Sequence, residues 1–421
     1  MATVAFHTLG CKVNSYESEA MLEIFKKRGY DNIDFESPAD VYVINTCTVT
    51  NTGDSKSRQM IRKAHRTNPD AVICVVGCYS QVASEEITEI EGVSVVLGTQ
   101  HRASIVDFVE EYKMTHKQIV KIENVMKVSR FEDLSIHAFP IDRKSAIKAF
   151  VTIMYGCNNF CTYCIIPYAR GGVRSRPKED VLRQAQELVD RGFVEIVLTG
   201  IHTAGYGVDL DNYSFYDLLV DLTTKIKGLK RLRISSIEMS QVSDEIIELI
   251  GRSPIIVDHL HIPIQSGTDS ILRRMARHYN TAEFEKKYFE LKEALPGISI
   301  TTDVIVGFPG ETEKDFEELR EFVKKAKFDK LGVFMYSKEE GTPAAKLPNQ
   351  IHGNTKKARY RKIMEQQSKI SKENLEKKIG REYEVLIEDI SFDKKYYIGR
   401  TIQDVPEIDG SVYIRNTNID K

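Results

Sequence analysis

The sequence predicts an α/β protein with three parts: an N-terminal parallel-sheet domain, a partial (β/α)6 barrel and a small C-terminal β module. From residue 1 to about 120, short apolar runs alternate with amphipathic stretches, which is the βαβα order of a parallel sheet. Between residues 144 and 352, six further strand candidates alternate with helices, two units short of a complete barrel. An incomplete barrel leaves a side opening for a large substrate.

The composition excludes several classes of protein. At 421 residues, with 42% hydrophobic and 29% charged residues, the chain is long enough for two or three folded domains and is neither disordered nor fibrous in character. Its apolar stretches are far shorter than the roughly 20 residues of a membrane span, and its start does not read as a secretion signal. We therefore expect a cytoplasmic protein with no membrane partner. Because the chain has 59 basic and 61 acidic residues, its net charge is only −2, and any nucleic-acid contacts must come from local basic patches.

The N-terminal domain is predicted over residues 1–120, and three of its strands lead directly into a cysteine: Cys11, Cys47 and Cys78. Sites in parallel sheets gather at the carboxyl edge of the strands, so we expect these thiols to meet there. Cys74 lies inside an apolar run and is interpreted as a core residue, with replacement of Cys78 as a ligand the alternative. The predicted strands are 4–9, 41–45, 71–76 and 93–97, and the helices are 15–28, 54–66 and 84–91.

The rest of the chain is divided by charge and periodicity. A charged segment from about residue 110 ends in a linker at 121–143, followed by the barrel at 144–352, a helical connection at 353–379 and the β module at 380–421. At about 40 residues the module is short for an independent domain, so we expect it to be incomplete or to pack on the barrel. The predicted barrel strands are 147–153, 195–199, 231–235, 257–262, 298–306 and 331–336, and those of the module are 383–390, 395–402 and 411–414.

The strongest chemical signal is the loop Cys157-Asn-Asn-Phe-Cys161-Thr-Tyr-Cys164, directly after the first barrel strand, where barrels keep their catalytic loops. Three thiolates can hold three irons of a 4Fe-4S cluster and leave the fourth iron without a protein ligand. An open metal position is typical of a catalytic site. The alternative is an electron-carrying cluster or a zinc loop, for which His137 and His202 are weak candidates as the fourth ligand.

Residues that follow later barrel strands are candidate ligand contacts. Glycines after the second strand allow backbone to approach a ligand, and polar residues after other strands would point into the mouth of the barrel. Plain turns and helix caps are the alternatives. Asp303 lies within a strand and is interpreted as a pocket residue, not as a catalytic one. The candidate contacts are Gly200, Gly205, Gly207, Glu238, Gln265 and Ser266.

The motifs resemble the radical S-adenosylmethionine (SAM) methylthiotransferase family over essentially the whole chain. The CxxxCxxC loop is similar to the cluster motif of the radical SAM superfamily, and the settings TLGCKVNSYES, INTCTVT and VGCYSQ resemble the auxiliary-cluster domain of the methylthiotransferases. The resemblance implies two 4Fe-4S clusters and SAM as cofactors. It makes Cys157, Cys161 and Cys164 the catalytic cluster ligands, Cys11, Cys47 and Cys78 the auxiliary ligands, and Gly200, Gly205, Glu238, Gln265 and Ser266 contacts of SAM or substrate.

The resemblance also implies a substrate and partners. The resemblance implies methylthiolation of carbon 2 of an adenine at tRNA position 37, in the anticodon stem-loop, as in the tRNA branches of the family, with an electron donor and a sulfur donor as partners. The TLGCKVN start is similar to the branch that acts on N6-threonylcarbamoyladenosine. The alternatives are the N6-isopentenyladenosine branch, the branch that modifies an aspartate of a ribosomal protein and, from another class, a non-catalytic iron-sulfur RNA-binding protein.

Two further features point to RNA. The C-terminal module resembles an incomplete TRAM domain, which is a small RNA-binding β-barrel. Basic runs at 56–66, 170–178 and 356–362 are predicted to contact RNA phosphates, and solvated helix faces are the alternative for each run.

Overall fold

The computed structural model describes residues 2–48, 51–134, 147–406 and 408–417. His137, one of the weak zinc-ligand candidates, lies outside these residues. The N-terminal part is a six-stranded parallel sheet in the order β2-β1-β3-β4-β5-β6. Its strands are β1 (Thr3–Thr8), β2 (Asp31–Ile33), β3 (Val41–Thr46), β4 (Val72–Gly77), β5 (Val93–Leu97) and β6 (Ile119–Lys121), and its helices are α1 (Lys12–Lys27), α2 (Asn51–Thr67), α3 (Cys78–Val82), α4 (Ser84–Thr88) and α5 (Ile105–Thr115).

The central strands of this sheet are apolar because both of their faces are covered. β3 and β4 are buried along their whole length, as expected for the middle of a parallel sheet. The parallel sheet that the sequence predicts is therefore confirmed. β2, β6 and α5 were not predicted, because β2 and β6 have three residues each and α5 buries only Ile105, Val106 and Val109. The charged stretch from residue 110 accordingly begins with the end of α5 and with β6.

The central part contains six parallel strands, which confirms the partial barrel. They form hydrogen-bonded groups in the orders β10-β9-β7-β8 and β11-β12-β13, joined by the bridges Leu232–Ile256 and Ser236–His261, with β8 antiparallel at the edge of β7. The strands are β7 (Lys148–Tyr155), β8 (Arg174–Ser175), β9 (Glu195–Gly200), β10 (Arg231–Ile234), β11 (His259–His261), β12 (Ser299–Val306) and β13 (Lys330–Met335). The helices are α6 (Ile166–Arg170), α7 (Lys178–Asp190), α8 (Phe215–Lys225), α9 (Asp244–Arg252), α10 (Asp269–Arg274), α11 (Thr281–Ala294) and α12 (Glu313–Ala326).

The C-terminal part is a long helix followed by an antiparallel sheet in the order β14-β15-β16. Its elements are α13 (Gly353–Glu376), β14 (Val385–Ile390), β15 (Tyr396–Thr401) and β16 (Val412–Arg415). Within the described ranges, neither α13 nor any other helix is long and apolar enough to cross a membrane.

A buried carboxylate joins the C-terminal sheet to the barrel. Glu195, the first residue of β9, is fully buried and pairs with Arg233 of β10, at 2.8 Å, and with Arg400 of β15. Arg233 Nη2 also donates to the carbonyl oxygen of Ile402 at 3.0 Å. Both guanidinium groups are almost completely buried, so this junction depends on Glu195 remaining charged.

We expect Glu195→Gln to destabilise the docking of the C-terminal sheet by about 3 kcal/mol, because it leaves the buried Arg233 guanidinium without a carboxylate and Arg400 with Glu388 alone. Limited proteolysis at increasing urea concentrations measures the release of this sheet. Glu384→Gln is the control: Glu384 pairs with Arg231 but its side chain is 79% exposed, so an effect below about 1 kcal/mol is expected. Equal effects of the two substitutions would contradict the role given to Glu195.

Candidate active site

The three N-terminal cysteines follow neighbouring strands of the parallel sheet. Cys11 lies at the start of α1, Cys47 directly follows β3, and Cys78 directly follows β4. Gly10, with a φ of 110°, allows close approach, because a Cβ atom there would lie 3.0 Å from Cys47 Sγ. Gly77 precedes Cys78 with a φ of 104°, and a Cβ atom there would lie 2.6 Å from the carbonyl oxygen of Thr46. Two glycines thus shape the carboxyl edge that carries the cysteines.

Arg170, from the barrel, reaches across to this edge. Its Nε lies 3.2 Å from Cys78 Sγ, and its Nη2 donates to Asn14 Oδ1 at 2.7 Å. Burial raises the pKa of the Cys78 thiol, whereas the positive charge of Arg170 acts in the opposite direction. A buried guanidinium at this position therefore stabilises the thiolate that a metal ligand requires.

Glu17 is shared by two arginines, and we call Glu17, Arg102 and Arg170 the Glu17 cluster. The carboxylate pairs with both guanidinium groups, and all three side chains are at most 1% exposed. Burial alone would raise the pKa of Glu17, but the two arginines hold it below its ordinary value. Arg102 also pairs with Glu132 at 2.8 Å. The cluster is therefore a charged, hydrogen-bonded junction between the N-terminal sheet and the barrel.

The same cluster lies beside the barrel's cysteine loop. The guanidinium carbons of Arg102 and Arg170 lie 5.2 and 5.8 Å from the ring centre of Tyr155, the last residue of β7. Cys157 follows Tyr155 after one glycine, and Arg170 ends the short helix α6 that begins two residues after Cys164. One group of side chains therefore connects both sets of cysteines.

The cysteine loop is held by backbone bonds and by Arg277. The Cys157 amide donates to the carbonyl oxygen of Gly171 at 3.0 Å, and the Cys164 amide donates to that of Cys161 at 2.9 Å. Arg277 Nη1 donates to Cys161 Sγ at 3.3 Å. Burial raises the pKa of Cys161, and Arg277 opposes that shift. Each set of cysteines thus has one arginine that contacts a sulfur atom.

Glu238 and His202 lie at the base of this loop. Glu238 pairs with Arg277 at 2.7 Å and accepts a hydrogen bond from Asn159 Nδ2 at 2.7 Å. Burial lowers the pKa of His202, but hydrogen bonds with Cys157 and Glu238 raise it, to about 9 overall. His202, considered from sequence only as a zinc ligand, therefore contacts the cysteine loop. In the described parts of the chain, no three His, Cys, Asp or Glu side chains converge on a site for a single metal ion.

The other candidate contacts lie in three places. A Cβ atom at Gly205 would lie 2.8 Å from His202 Nδ1, so Gly205 belongs with Glu238 near the cysteine loop. Gln265 has a φ of 68° and its carbonyl oxygen accepts from the Ile305 amide at 2.8 Å. Gln265 and the buried Ser266 therefore lie on the segment after β11 that is bonded to β12. Gly207, with a φ of 91°, shapes a turn against the backbone of Tyr213 and Ser214.

A cavity of about 870 Å³, here called the barrel cavity, lies between the N-terminal sheet, the barrel strands and the C-terminal module. Cys11 and Gly200 are part of its wall, and so is Asp303. Gly332 makes room for Asp303, because a Cβ atom there would lie 2.4 Å from Asp303 Oδ1. The other polar or charged residues of the wall are Lys12, Ser15, Thr199, Arg233, Ser235, Ser236, His259, His261, Thr301, Thr302, Lys330 and Asp409.

One of the three predicted RNA contacts is wrong. In the run 170–178, Arg170, Arg174 and Arg176 are each at most 2% exposed, so they are structural and do not form a surface for phosphates. Local sequence could not show this, because an arginine is buried only when the tertiary fold supplies its partners.

The other two basic runs are partly exposed. On α2, Arg58, Arg62 and Arg66 recur every four residues and share a pocket of about 570 Å³ with glutamates of the following helix region. On α13, Arg359 is buried against Glu311, whereas the neighbouring Lys357 and Arg361 are exposed. RNA contact by these two runs stays a prediction.

Three charged residues of the site were not predicted from the sequence: Glu17, Arg170 and Arg277. Asn14 follows Cys11 by three residues and Glu17 follows Asn14 by three, so each successive pair is adjacent on α1, and this spacing was the available signal. Arg170 and Arg277 carry no comparable signal, since they contact cysteines 92 and 116 residues away in sequence.

Comparison with known proteins identifies three matching families. Residues 3–98 match the family described as uncharacterized protein family UPF0004, residues 151–323 match the radical SAM superfamily, and residues 379–421 match the TRAM domain.

Two relatives and one solved structure show the extent of the similarity. The chain is 54% identical to the threonylcarbamoyladenosine tRNA methylthiotransferase MtaB of Bacillus subtilis (strain 168), over 89% of this chain and 82% of that protein. It is 37% identical to a tRNA-2-methylthio-N(6)-dimethylallyladenosine synthase of Clostridium botulinum (strain Langeland), over 94% of this chain and 88% of that protein. The radical SAM methyltransferase TsrM of Kitasatospora setae has a similar fold, with a TM-score of 0.60 at 14% identity, covering 82% of this chain and 75% of that one.

We expect Arg170→Gln to lower the iron content of the reconstituted chain from about eight to about four atoms, because the Cys78 thiolate loses its buried cation. Iron and acid-labile sulfide analysis measures the change, and SAM cleavage reports on the remaining cluster. Arg174→Gln is the matched control: Arg174 is also buried, but it donates to backbone oxygens of Arg170 and Gly172. Full iron content in Arg170→Gln, or equal loss in the control, would contradict the contact with Cys78.

Proposed function

The chain belongs to the radical SAM methylthiotransferase family, and we propose that it adds a methylthio group to carbon 2 of N6-threonylcarbamoyladenosine at tRNA position 37. The 54% identity to the Bacillus subtilis threonylcarbamoyladenosine enzyme supports this substrate over the dimethylallyladenosine alternative, whose cited relative is 37% identical. The TRAM match supports an RNA substrate. We place the reaction in the cytoplasm, with an external electron donor and an external sulfur donor as further partners.

The two cysteine sets fit two 4Fe-4S clusters. Each set contains three thiols, and in each set an arginine contacts one sulfur atom. Cys157, Cys161 and Cys164 would hold the cluster that binds SAM, and Cys11, Cys47 and Cys78 would hold the auxiliary cluster. When bound, these cofactors supply radical hydrogen abstraction and a transferable sulfur.

The protein's own residues position the two cysteine sets. The Glu17 cluster fixes the two cysteine sets relative to each other, because it contacts Cys78 directly and lies against Tyr155. Glu238, Gly200, Gly205, Gln265 and Ser266 stay proposed contacts of SAM or substrate.

The observation that carries the proposal is the position of Cys11 in the wall of the barrel cavity. The cysteine of one domain faces the interior of another, whose first strand leads into Cys157. Gly200 of the same wall pairs with Met154, close to the end of that strand. We propose that an adenine in this cavity is presented to both cysteine sets. A single-stranded anticodon loop can deliver such a base, since its nucleotides can be splayed out of the stack.

Nucleoside mass spectrometry of total tRNA tests the proposal. Cells that lack the gene should lose the methylthio form of threonylcarbamoyladenosine and accumulate the unmethylthiolated nucleoside, and the wild-type gene should restore it. Loss of the methylthio form of isopentenyladenosine would assign the other tRNA branch. If neither nucleoside changed, the ribosomal-protein aspartate would be examined next, and failure of the reduced protein to cleave SAM would favour a non-catalytic RNA-binding protein.

We expect Cys161→Ala to abolish SAM cleavage, and Cys47→Ala to retain some cleavage while stopping methylthiolation, because the two residues belong to different cysteine sets. Liquid chromatography of SAM products and of digested RNA measures the two reactions separately. Cys74→Ala is the control: Cys74 is completely buried within β4 and should retain both activities. Full methylthiolation by either of the first two variants would refute the division into two cysteine sets.

A further inference from the structure

Part of the wall of the barrel cavity is polar. Arg233 of β10 and Ser235, which follows β10, are two residues apart and both belong to the wall. His259 of β11 belongs to the same wall. Inward-facing positions of a barrel are usually filled with apolar side chains, so a group of polar ones indicates a ligand with polar groups.

Each of these three side chains has a buried polar atom without a hydrogen-bond partner. The atoms are Arg233 Nη1, Ser235 Oγ and His259 Nδ1. Arg233 is 1% exposed and His259 2%, so neither gains compensation from bulk solvent. Because an unpaired buried polar group is unfavourable, this wall is complementary to a ligand that supplies partners for all three atoms.

Two of the unpaired atoms, Arg233 Nη1 and His259 Nδ1, are held in place by bonds that other atoms of the same side chain make. Arg233 Nε is bonded to Glu195 at 2.8 Å and its Nη2 to the Ile402 carbonyl at 3.0 Å, which fixes the direction of Nη1. His259 Nε2 is 3.1 Å from Thr301 Oγ1. Burial and the nearby Arg233 hold the pKa of His259 well below its ordinary value, so its ring is neutral, with one donor and one acceptor nitrogen.

Other charged residues of the cavity already have partners. Lys330 is 2.7 Å from both Asp404 and Asp409. His261 contacts Thr301 at 2.9 Å and Asp303 at 3.2 Å. Unlike these neighbours, the three unpaired atoms can form hydrogen bonds with a ligand without breaking existing ones.

We propose that Arg233, Ser235 and His259 form the site that recognises the threonine moiety of the substrate's N6 substituent. This inference rests on the proposed function. The guanidinium donates to the threonine carboxylate, and Ser235 and His259 bond the threonine hydroxyl. An isopentenyl group has no polar atom and would leave all three unpaired, so the same site disfavours the other nucleoside.

Binding of synthetic anticodon stem-loops to the full-length, cluster-reconstituted protein tests the site. Three RNAs differ only at position 37: N6-threonylcarbamoyladenosine, its carboxyl methyl ester, and N6-glycinylcarbamoyladenosine, which lacks the hydroxyethyl group. We expect the ester to bind the wild-type protein about 10- to 100-fold more weakly, because a charge-assisted hydrogen bond is lost. The Arg233→Met variant should bind the unesterified RNA and the ester with equal affinity.

Ser235→Ala provides a second variant that is independent of the Arg233 contacts with Glu195 and Ile402. The wild-type protein should prefer the threonyl over the glycinyl RNA several-fold, and this preference should be weaker in Ser235→Ala, because only the His259 contact with the hydroxyl remains. An unchanged preference would overturn the Ser235 contact. Arg231→Met is the matched control: Arg231 is on the same strand and also contacts the C-terminal sheet, through Glu384. Its preferences among the three RNAs should be those of the wild-type protein.

Two different failures can be distinguished. If wild-type protein methylthiolates the unesterified RNA but binds the ester equally well, the carboxylate site is overturned and the proposed function stands. If wild-type protein does not methylthiolate the threonylcarbamoyl RNA, the proposed function itself fails and this inference fails with it. Loss of discrimination in Arg231→Met to the same extent as in Arg233→Met would also overturn the assignment, since it would indicate a general effect of the strand.

Discussion

The buried carboxylate of Glu17 is the interaction on which the arrangement of the site depends. It belongs to the N-terminal sheet domain, as does Arg102, but it also pairs with Arg170 from the barrel. Removing one partner of such a buried group leaves an uncompensated charge and costs about 3–5 kcal/mol. Because Arg170 contacts Cys78 and lies over Tyr155, the ion pairs that join the domains also set the geometry between the two groups of cysteines.

The junction between the barrel and the C-terminal sheet is also built around a buried carboxylate. Glu195 is a buried carboxylate between Arg233 and Arg400, which belong to the barrel and to the C-terminal sheet. Buried ion pairs of this kind contribute little net stability compared with apolar packing, but they tolerate few alternative geometries. At both junctions an arginine is also part of the candidate site: Arg170 contacts Cys78, and Arg233 lines the barrel cavity. Domain docking and site geometry are therefore set by the same side chains.

The sequence predicted what depends on local pattern. The strands of the sheet and barrel are predicted because they are short apolar runs, those of the C-terminal module because their residues alternate, and the cysteines because they directly follow strands. The buried arginines were not predictable in this way. Arg170 and Glu17 are 153 residues apart, and Arg400 and Glu195 are 205 apart, so no local window contains both partners. A run such as 170–178 then has the pattern of an exposed basic surface, although its arginines are buried.

The two tasks of the barrel are separated along its strands. Tyr155 ends β7 beside the cysteine loop, whereas Arg233 aligns through Val197 with Phe150, five residues earlier and roughly 17 Å away along the strand. Residues near Arg233 can therefore change without disturbing the bonds that hold the cysteines. Relatives named for two different N6 substituents match this chain over at least 89% of its length, which indicates a shared framework. A wall of substituent-reading residues, placed away from the cysteines, allows one framework to accept a polar substituent in one branch and an apolar one in the other.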